Sequence, residues 1–422
     1  MTYVGTERSI IPLLEEHFEI LPALWERRLG CLYDTVWTMR DLADHDERIA
    51  AHSDALVLAG EDSATIVEPG LTGDEVPVVL AAGYVTLLRQ EEACLRLVLD
   101  TFKKAEGPIL DGLRLALCHG ANAQLLPDLA GLVSSAPAPV GAAAAEVLAF
   151  QGQIVPSAAV RPFFASTEAG VRESAWRWAR YAAGATGEPA PGLDWLSLFA
   201  AGFADTDGGA HSACLEAAAW TRFSGLLEHL RLRVQTPGVV DRPALLLLAA
   251  LGGANDVDIV SMVGSQIEVG LLRFEVLAGY GHPQTVEMLL REMGNSDPRA
   301  AAAAAGAFRR MTGLDVTSQA RVPAETVADP FEQEFVDEIH LPDVAAAQEH
   351  WARLAKPFAA SIRWSRGIDV SKDVAPPVLQ HLDLRARRES ILRSRAGGTW
   401  PGTYADLERL TQGHSRGPAR SA

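Results

Sequence analysis

Residues 272–313 read LRFEVLAGYGHPQTVEMLLREMGNSDPRAAAAAAGAFRRMTG, and this stretch decides the fold. An apolar helical run ends at Gly281, an amphipathic run follows from His282, and a third run ends at Gly313. A helix commonly terminates in a left-handed residue, and glycine adopts that conformation without a steric penalty. The stretch therefore predicts a unit of helix, turn and helix.

The same glycine-terminated run recurs through the middle of the chain. The residue five positions before each glycine is apolar, and the residue two positions before it is apolar or small, so an i, i+3 stripe repeats in register. One face of each helix is therefore predicted to be buried. The glycines are Gly120, Gly152, Gly184, Gly225, Gly253, Gly281 and Gly313, separated by 32, 32, 41, 28, 28 and 32 residues.

A helix pair of this kind cannot bury its apolar face alone, so neighbouring pairs must stack. The sequence predicts an all-α, HEAT-like helix-pair solenoid with irregular helical caps at both ends. The wide interval before Gly225 contains GFADTDGGAHS, which we interpret as a loop inserted between repeats. The predicted segments are an N-terminal capping region (1–105), the repeats (106–320), an acidic crossover (321–343), a C-terminal helical region (344–411) and a flexible tail (412–422).

Composition excludes several classes of protein. The formal charge of −17 repels phosphate backbones and favours basic partners, so nucleic acid is not an expected ligand. No apolar run approaches the roughly 20 residues that cross a bilayer, and Glu7 and Arg8 interrupt any secretory signal. We expect a cytoplasmic protein. The four cysteines form no CxxC pair, which favours reduced thiols in the core.

Three stretches together resemble a family of proteobacterial HEAT-repeat proteins. They are LADHDERIAAHSDALVLAG near the start, the segment quoted above with the two residues after it, and EIHLPDVAAAQEHWARL. The repeats are similar to the HEAT-like repeats first associated with phycobilisome lyase subunits. The resemblance covers most of the chain and implies a helical repeat fold. Members tend to be encoded beside type VI secretion components, and the family has no established catalytic residues.

No catalytic motif accompanies the repeat. HExxH, GxSxG, a Walker loop and a GxGxxG before a helix are all missing from the sequence. Two enzyme classes on HEAT-like repeats remain as alternatives, a chromophore lyase and a metal-dependent enzyme of the deoxyhypusine hydroxylase type. The second holds iron with His-Glu pairs in repeat register, whereas the pairs here, such as Glu228-His229, run in the opposite order. We predict a non-enzyme with no cofactor and no metal.

The second helices of the repeats carry carboxylates, and in HEAT-like solenoids these helices usually line the concave surface. Carboxylates around an aromatic anchor suit a basic protein partner. Solvated helix faces are the plainer interpretation. The predicted partner-binding residues are Asp128, Asp194, Trp195, Asp256, Asp258 and Glu287, together with Glu332, Glu334, Asp337 and Glu338 in the acidic crossover.

These features favour a protein-binding scaffold linked to type VI secretion. It would act as an immunity protein that neutralises a co-encoded, basic toxin, or as an adaptor that loads an effector onto the apparatus. Near the C-terminus, five arginines are predicted to pair with the acidic crossover within the same chain rather than with a partner. They are Arg385, Arg387, Arg388, Arg393 and Arg395.

Overall fold

The computed structural model describes residues 10–184, 187–324, 335–359, 361–372 and 374–411. The described chain is predominantly helical, as predicted, and divides into two compact units. Unit 1 takes the described residues up to Thr221 together with those from Pro401 onward. Unit 2 runs from Arg222 to Trp400. Unit 1 is therefore built from two separate parts of the chain.

Unit 1 contains twelve α-helices within the described residues. They are α1 (Ile11–Cys31), α2 (Met39–Leu58), α3 (Glu61–Val67), α4 (Val76–Leu88), α5 (Glu92–Phe102), α6 (Gly107–Gly120), α7 (Leu126–Ser135), α8 (Ala138–Phe150), α9 (Ser157–Phe164), α10 (Ala169–Ala182), α11 (Trp195–Phe203) and α12 (Gly208–Trp220). Short 3₁₀ helices cover Glu68–Thr72 and Ala405–Leu407.

Unit 2 begins with α13 (Leu226–Val234), α14 (Arg242–Leu251), α15 (Val257–Ser265), α16 (Leu272–Tyr280), α17 (Val286–Glu292) and α18 (Pro298–Thr312). Three 3₁₀ helices, Ala254–Asp256, Ile267–Val269 and Pro283–Thr285, lie between them. The later elements are β1 (Thr317–Pro323), β2 (Glu338–Pro342), α19 (Val344–Phe358), β3 (Trp364–Ser365), β4 (Ile368–Asp369), α20 (Pro376–Leu379) and α21 (Leu384–Ala396).

Alternate helices pack against one another. In unit 1, α4, α6, α8, α10 and α12 are in contact in that order, and in unit 2 α14 contacts α16, which contacts α18. We call these helices the core row. The helix that precedes each of the later ones, from α5 to α17, packs onto it and belongs to the flanking row. The core row carries the bulky buried residues, including Trp176, Trp178, Trp220 and Phe308, so these side chains belong to the core.

The prediction that each of the seven glycines ends a helix in the left-handed conformation is confirmed at four positions and wrong at three. Gly152, Gly184, Gly281 and Gly313 have positive φ angles at helix ends. By contrast, Gly120 is the last residue of α6, where an added Cβ would lie 3.1 Å from Leu87 Cβ, so close packing explains it. Gly225 and Gly253 precede helices, and the left-handed residue after α12 is Arg222 (φ 58°).

The interval between Gly184 and Gly225 does not contain the expected inserted loop at GFADTDGGAHS. Helix α11 ends at Phe203 and α12 begins at Gly208, so most of this stretch is helical. Asp205 accepts hydrogen bonds from Arg172, and Asp207 caps α12 by accepting from the Ala210 amide at 2.9 Å. The two aspartates are thus helix-end and ion-pair residues.

Two short antiparallel ladders depart from a purely helical chain. Strands β1 and β2 pair with Arg321 opposite His340 and Pro323 opposite Glu338. The two strands overlap the beginning and the end of the predicted acidic crossover (321–343). Strands β3 and β4 form a hairpin in which Trp364 pairs with Asp369. Neither ladder was predicted, because segments of two to seven residues offer too few alternations to identify a strand.

The β3–β4 hairpin supplies amide donors to the ends of two core helices. Trp364 N–H donates to Gly281 O at 2.9 Å, and Arg366 and Gly367 donate to Arg310 O and Met311 O at 2.7 and 2.9 Å. The last carbonyls of a helix have no partner within the helix. The hairpin therefore caps α16 and α18, whose terminal glycines also let its backbone approach closely.

This close approach makes Gly281 sensitive to substitution. Gly281→Ala places a methyl group inside the van der Waals radius of Trp364 O, in addition to the strain of a left-handed alanine. The matched control is Gly152→Ala, because Gly152 also has a positive φ (75°) at a helix end but nothing within 4 Å of its Cβ position. We expect the control to lower the free energy of unfolding by about 1–2 kcal/mol.

Gly281→Ala should lower it by about 1–3 kcal/mol more than the control does, since the hairpin must move. Urea unfolding of the two variants beside the wild-type chain measures the difference. Equal losses in the free energy of unfolding would show that the hairpin moves without cost and does not cap α16 tightly.

Candidate functional site

The predicted carboxylates occupy the N-terminal ends of flanking helices. Asp128, Asp258 and Glu287 lie in the first turns of α7, α15 and α17, and Asp194 is the N-cap of α11, accepting from Ser197. A negative side chain at a helix N-terminus is stabilised by the helix dipole. Helix-end chemistry thus explains part of the repeated acidic pattern. Asp128 and Asp194 are in unit 1, whereas Asp258 and Glu287 are in unit 2.

Asp128 and Asp258 are exposed and form no salt bridge with any described residue. Met262 lies one turn after Asp258 on the same face of α15 and is 38% exposed. Helix α15 also neighbours α17, because an added Cβ at Gly264 would contact Met288. Unit 2 therefore presents a free carboxylate beside an exposed apolar side chain.

Asp256 is not available to a partner, which corrects the sequence-based prediction. Its side chain is 1% exposed and accepts hydrogen bonds from Arg231 Nε at 2.6 Å and from the Gly253 amide at 2.8 Å. Burial opposes ionisation of the carboxyl, but Arg231 and the Gly253 amide outweigh it and hold the pKa below its ordinary value. Asp256 ties α13 to the start of α15.

A lowered carboxyl pKa gives Asp256 a pH-dependent role in stability. Its ionised form stabilises the fold above the pKa of the unfolded state, and this stabilisation disappears as the pH falls through the folded-state pKa. Asp256→Asn is expected to lower the free energy of unfolding at pH 7 by about 2 kcal/mol. The gap to wild type should begin to narrow near pH 4 and close as the pH falls through the folded-state pKa. Urea unfolding at pH 7, 5 and 3.5 tests this, with the exposed Asp258→Asn as a control whose effect stays within about 0.5 kcal/mol.

Trp195 is not a free aromatic anchor. The indole N–H donates to Ala190 O at 2.8 Å, and the ring packs against Phe164 and Phe199 at centroid distances of 5.9 and 5.5 Å. Its surroundings are those of a half-buried packing residue. Glu287 also has an internal partner, because it accepts from Trp351 Nε1 at 2.9 Å.

The residues of the acidic crossover are only partly described. Asp337 is exposed, and its carbonyl accepts from the Ala324 amide at 2.7 Å. Glu338 pairs with Arg321 across the β1–β2 ladder at 3.0 Å. Glu332 and Glu334 lie outside the described residues.

Two of the five C-terminal arginines, Arg385 and Arg393, have described partners within the chain, and these partners lie outside the acidic crossover. Arg385 contacts Glu275 Oε2 at 2.8 Å and Glu389 Oε1 at 3.4 Å. Arg393 donates to Ala250 O at 3.3 Å, and burial among other arginines lowers its pKa to about 9. Arg395 is 1% exposed. Arg393 and Arg385 therefore help to pack α21 onto α14 and α16.

Arg363 is a buried residue that the sequence did not single out. It is 3% exposed, and its guanidinium donates to Ala249 O at 2.6 Å, Gly279 O at 3.1 Å and Gly252 O at 2.5 Å. These carbonyls lie at the ends of α14 and α16. A single side chain thus satisfies the ends of two neighbouring core helices.

The residues from Pro401 to Thr411, which we call the strap, fill a groove in unit 1. Tyr404 Oη donates to Glu216 Oε2 at 2.8 Å, and its ring packs edge-on against Trp220 at 5.0 Å. The Arg180 guanidinium lies 4.3 Å from the Tyr404 ring centroid and also contacts Glu408 at 3.4 Å. The first half of the strap thus binds α10 and α12.

The second half of the strap reaches the N-terminal helices. Arg409 Nη2 donates to Phe150 O at 2.8 Å, and Arg28 Nη2 donates to Arg409 O at 2.9 Å. The Thr411 amide donates to Asp46 Oδ2 at 2.8 Å, while Asp46 Oδ1 accepts from Arg28 Nε at 2.7 Å. Helices α1, α2, α8, α10 and α12 therefore all supply contacts to the strap. Sequence reasoning missed this groove because its parts are far apart along the chain.

The described residues do not provide what a metal site, a membrane-spanning helix or a reactive thiol requires. Among the described residues, no three His, Cys, Asp or Glu side chains are grouped as a metal ion would require. Of the described helices, none combines the length and apolarity needed to cross a bilayer. All four cysteines are buried free thiols, as predicted, and burial raises the pKa of Cys31 to about 11. Such thiols are poor nucleophiles at neutral pH.

Comparisons with known proteins give no family for this chain. Its sequence matches no family model and no curated protein. Among solved structures, it aligns with human deoxyhypusine hydroxylase in complex with glycerol at 11% identity and a TM-score of 0.23. The alignment covers 70% of this chain and 96% of that chain. A likeness this weak carries no argument about fold or activity.

Proposed function

We propose that this chain is a non-enzymatic scaffold of HEAT-like helix-pair repeats that acts in the cytoplasm as a type VI secretion-associated immunity protein. It binds a co-encoded basic toxin and neutralises it. The observation that carries the proposal is two exposed carboxylates on the flanking row that form no salt bridge with a described residue, Asp128 in unit 1 and Asp258 in unit 2. Each unit then has its own contact point for a basic surface.

The repeat part of the proposal is supported by ion pairs that join positions one repeat apart. Arg114 pairs with Glu146 across 32 residues, and Arg172 pairs with Asp205 across 33. In unit 2, Arg242 pairs with Glu275, also across 33 residues. The Arg114–Glu146 separation equals the 32 residues between Gly120 and Gly152, as expected where equivalent positions of stacked units meet, and the other two pairs link successive repeats at positions that are not equivalent.

A basic partner is supported by charge. The chain carries a formal charge of −17, and complementary charge raises the rate at which two proteins meet. A toxin that acts on nucleic acid presents a basic active site, so a carboxylate surface can cover it. The exposed Met262 beside Asp258 supplies the apolar contact that gives such an interface its affinity.

Co-purification with the products of the neighbouring genes tests the function. We expect a stable complex with one of them, and co-expression should protect cells from its toxicity. Asp258→Lys and Asp128→Lys should each weaken the complex at least 10-fold and reduce its dependence on salt. The matched control is Asp62→Lys, which reverses an exposed first-turn carboxylate of α3 outside the flanking row.

Three results would contradict the proposal. Unchanged affinity in both flanking-row variants would remove these carboxylates from the interface. A stable complex without protection would indicate an adaptor that loads an effector instead. Purified protein that carries iron or a bilin would assign the chain to an enzyme class.

A further inference from the structure

The groove that holds the strap has the chemistry of a peptide-recognition site. The strap has little regular structure of its own, only the 3₁₀ turn at Ala405–Leu407. It is held by a few buried side chains, Tyr404, Ala405 and Leu407, while Asp406 and Arg409 are exposed. A short segment fixed in a groove by a few side-chain anchors is the usual form of a bound peptide.

The anchors define a pattern. Tyr404 inserts its ring between Trp220 and Tyr181, and Glu408, four residues later, contacts both Arg180 and the Tyr181 hydroxyl. The groove thus selects an aromatic hydroxyl followed at the fourth position by a carboxylate. The backbone carbonyl of the next residue, Arg409, accepts a hydrogen bond from Arg28.

The groove offers more donors than the strap uses. Arg28 is fully buried and Arg180 is 7% exposed, yet Arg28 Nη1 and Arg180 Nε have no hydrogen-bond partner among the described residues. A buried donor left without an acceptor is unfavourable. An occupant that brings one more carboxylate or carbonyl to these guanidinium groups would be held better than the strap is.

The link between the strap and α21 contains two glycines. It consists of Gly397, Gly398, Thr399 and Trp400, and Gly398 has a positive φ of 78°. Two adjacent glycines allow the backbone to change direction with little strain. Release of the strap therefore does not require α21 to unfold.

We propose that this groove of unit 1 is a binding site for a partner segment with the pattern Tyr-x-x-x-Glu and one further carboxylate, and that the strap is its built-in competitor. The site is separate from the carboxylates of the flanking row and does not rest on the toxin proposal. Because the strap is tethered, its effective concentration at the groove is in the millimolar range, so a free segment displaces it only by binding more tightly or by exceeding that concentration.

Fluorescence anisotropy with the full chain tests the proposal. The probe is a fluorescein-labelled synthetic peptide of residues 399–411, TWPGTYADLERLT. The wild-type chain should bind it weakly because its own strap competes. The full-length variant with Tyr404→Ala and Glu408→Ala should bind it at least about 100-fold more tightly, as expected when a tethered competitor is removed. A probe with the same two substitutions is the matched control and should not bind.

A variant that folds, as judged by circular dichroism, and binds no more tightly than wild type would overturn the proposal. Should the variant fail to fold, hydrogen exchange of the wild-type chain gives a second test. A saturating, ¹³C-labelled peptide of residues 399–411 should increase deuterium uptake in residues 403–411 of the chain and leave α21 unchanged. No increase in uptake would overturn the proposal. A doubled molecular mass without that increase would assign the groove to the strap of a second copy and would overturn it as well.

Discussion

Glu146→Gln is expected to lower the free energy of unfolding of unit 1 by about 3–5 kcal/mol, because it removes the buried counter-charge of a buried arginine and leaves only the exposed Asp111, at 3.5 Å. Glu146 is 0% exposed and its Oε1 accepts from Arg114 Nη1 at 2.5 Å. Arg114 is itself 6% exposed. Burial disfavours its charged form, but Glu146, Asp111 and other neighbouring groups together outweigh burial, so the pKa of Arg114 lies above its ordinary value. Glutamine keeps the shape of the side chain and removes only the charge.

Urea unfolding monitored by circular dichroism measures the loss. The control is Glu92→Gln, which breaks the Arg96–Glu92 pair on the surface, where the two side chains are 73% and 76% exposed. We expect that variant to lose less than about 0.5 kcal/mol. Replacing both buried partners, as in Arg114→Met with Glu146→Leu, should recover much of the loss, since no charge is then left buried. Similar losses in Glu146→Gln and Glu92→Gln would mean that water reaches the buried pair.

Arg363→Met should have a comparable effect on unit 2. Methionine fills a similar volume but donates no hydrogen bond, so Ala249 O, Gly252 O and Gly279 O lose their guanidinium donor. A buried polar group without a partner costs about 1–3 kcal/mol, and we expect a total loss of about 3–6 kcal/mol. Hydrogen exchange should rise first at the C-terminal ends of α14 and α16.

The control for this variant is Arg353→Met, which removes an arginine from the exposed i, i+4 pair with Glu349 on α19. Its effect should stay below about 0.5 kcal/mol. If Arg363→Met were as mild as Arg353→Met, the helix-end carbonyls would have other donors, and the capping role of Arg363 would be wrong.

The part of the fold that follows local rules could be predicted from the sequence. Gly281 and Gly313 end their helices in the left-handed conformation because helix termination depends on a few neighbouring residues. Gly120 and Gly225 satisfied the same pattern for other reasons, close packing and a helix start. A glycine alone does not distinguish these roles, so the spacing was a better guide than each individual assignment.

The site was predictable only in part. Acidic residues on the flanking helices were identified, but burial of Asp256 depends on Arg231, 25 residues away. The strap depends on even more distant contacts, with Thr411 and Asp46 separated by 365 residues. Periodicity reports which face of a helix is buried and says nothing about which remote segment covers a groove.

The two-part construction of unit 1 also has a consequence for synthesis on the ribosome. Residues up to Thr221 emerge first, and the strap follows only after the whole of unit 2 has been translated. At about 5–20 residues per second, that interval lasts on the order of 10–40 s. During this time the nascent chain holds Arg28 and Arg180 without their strap contacts. A chaperone or a partner segment that arrives before translation ends therefore meets an empty groove and faces no competition.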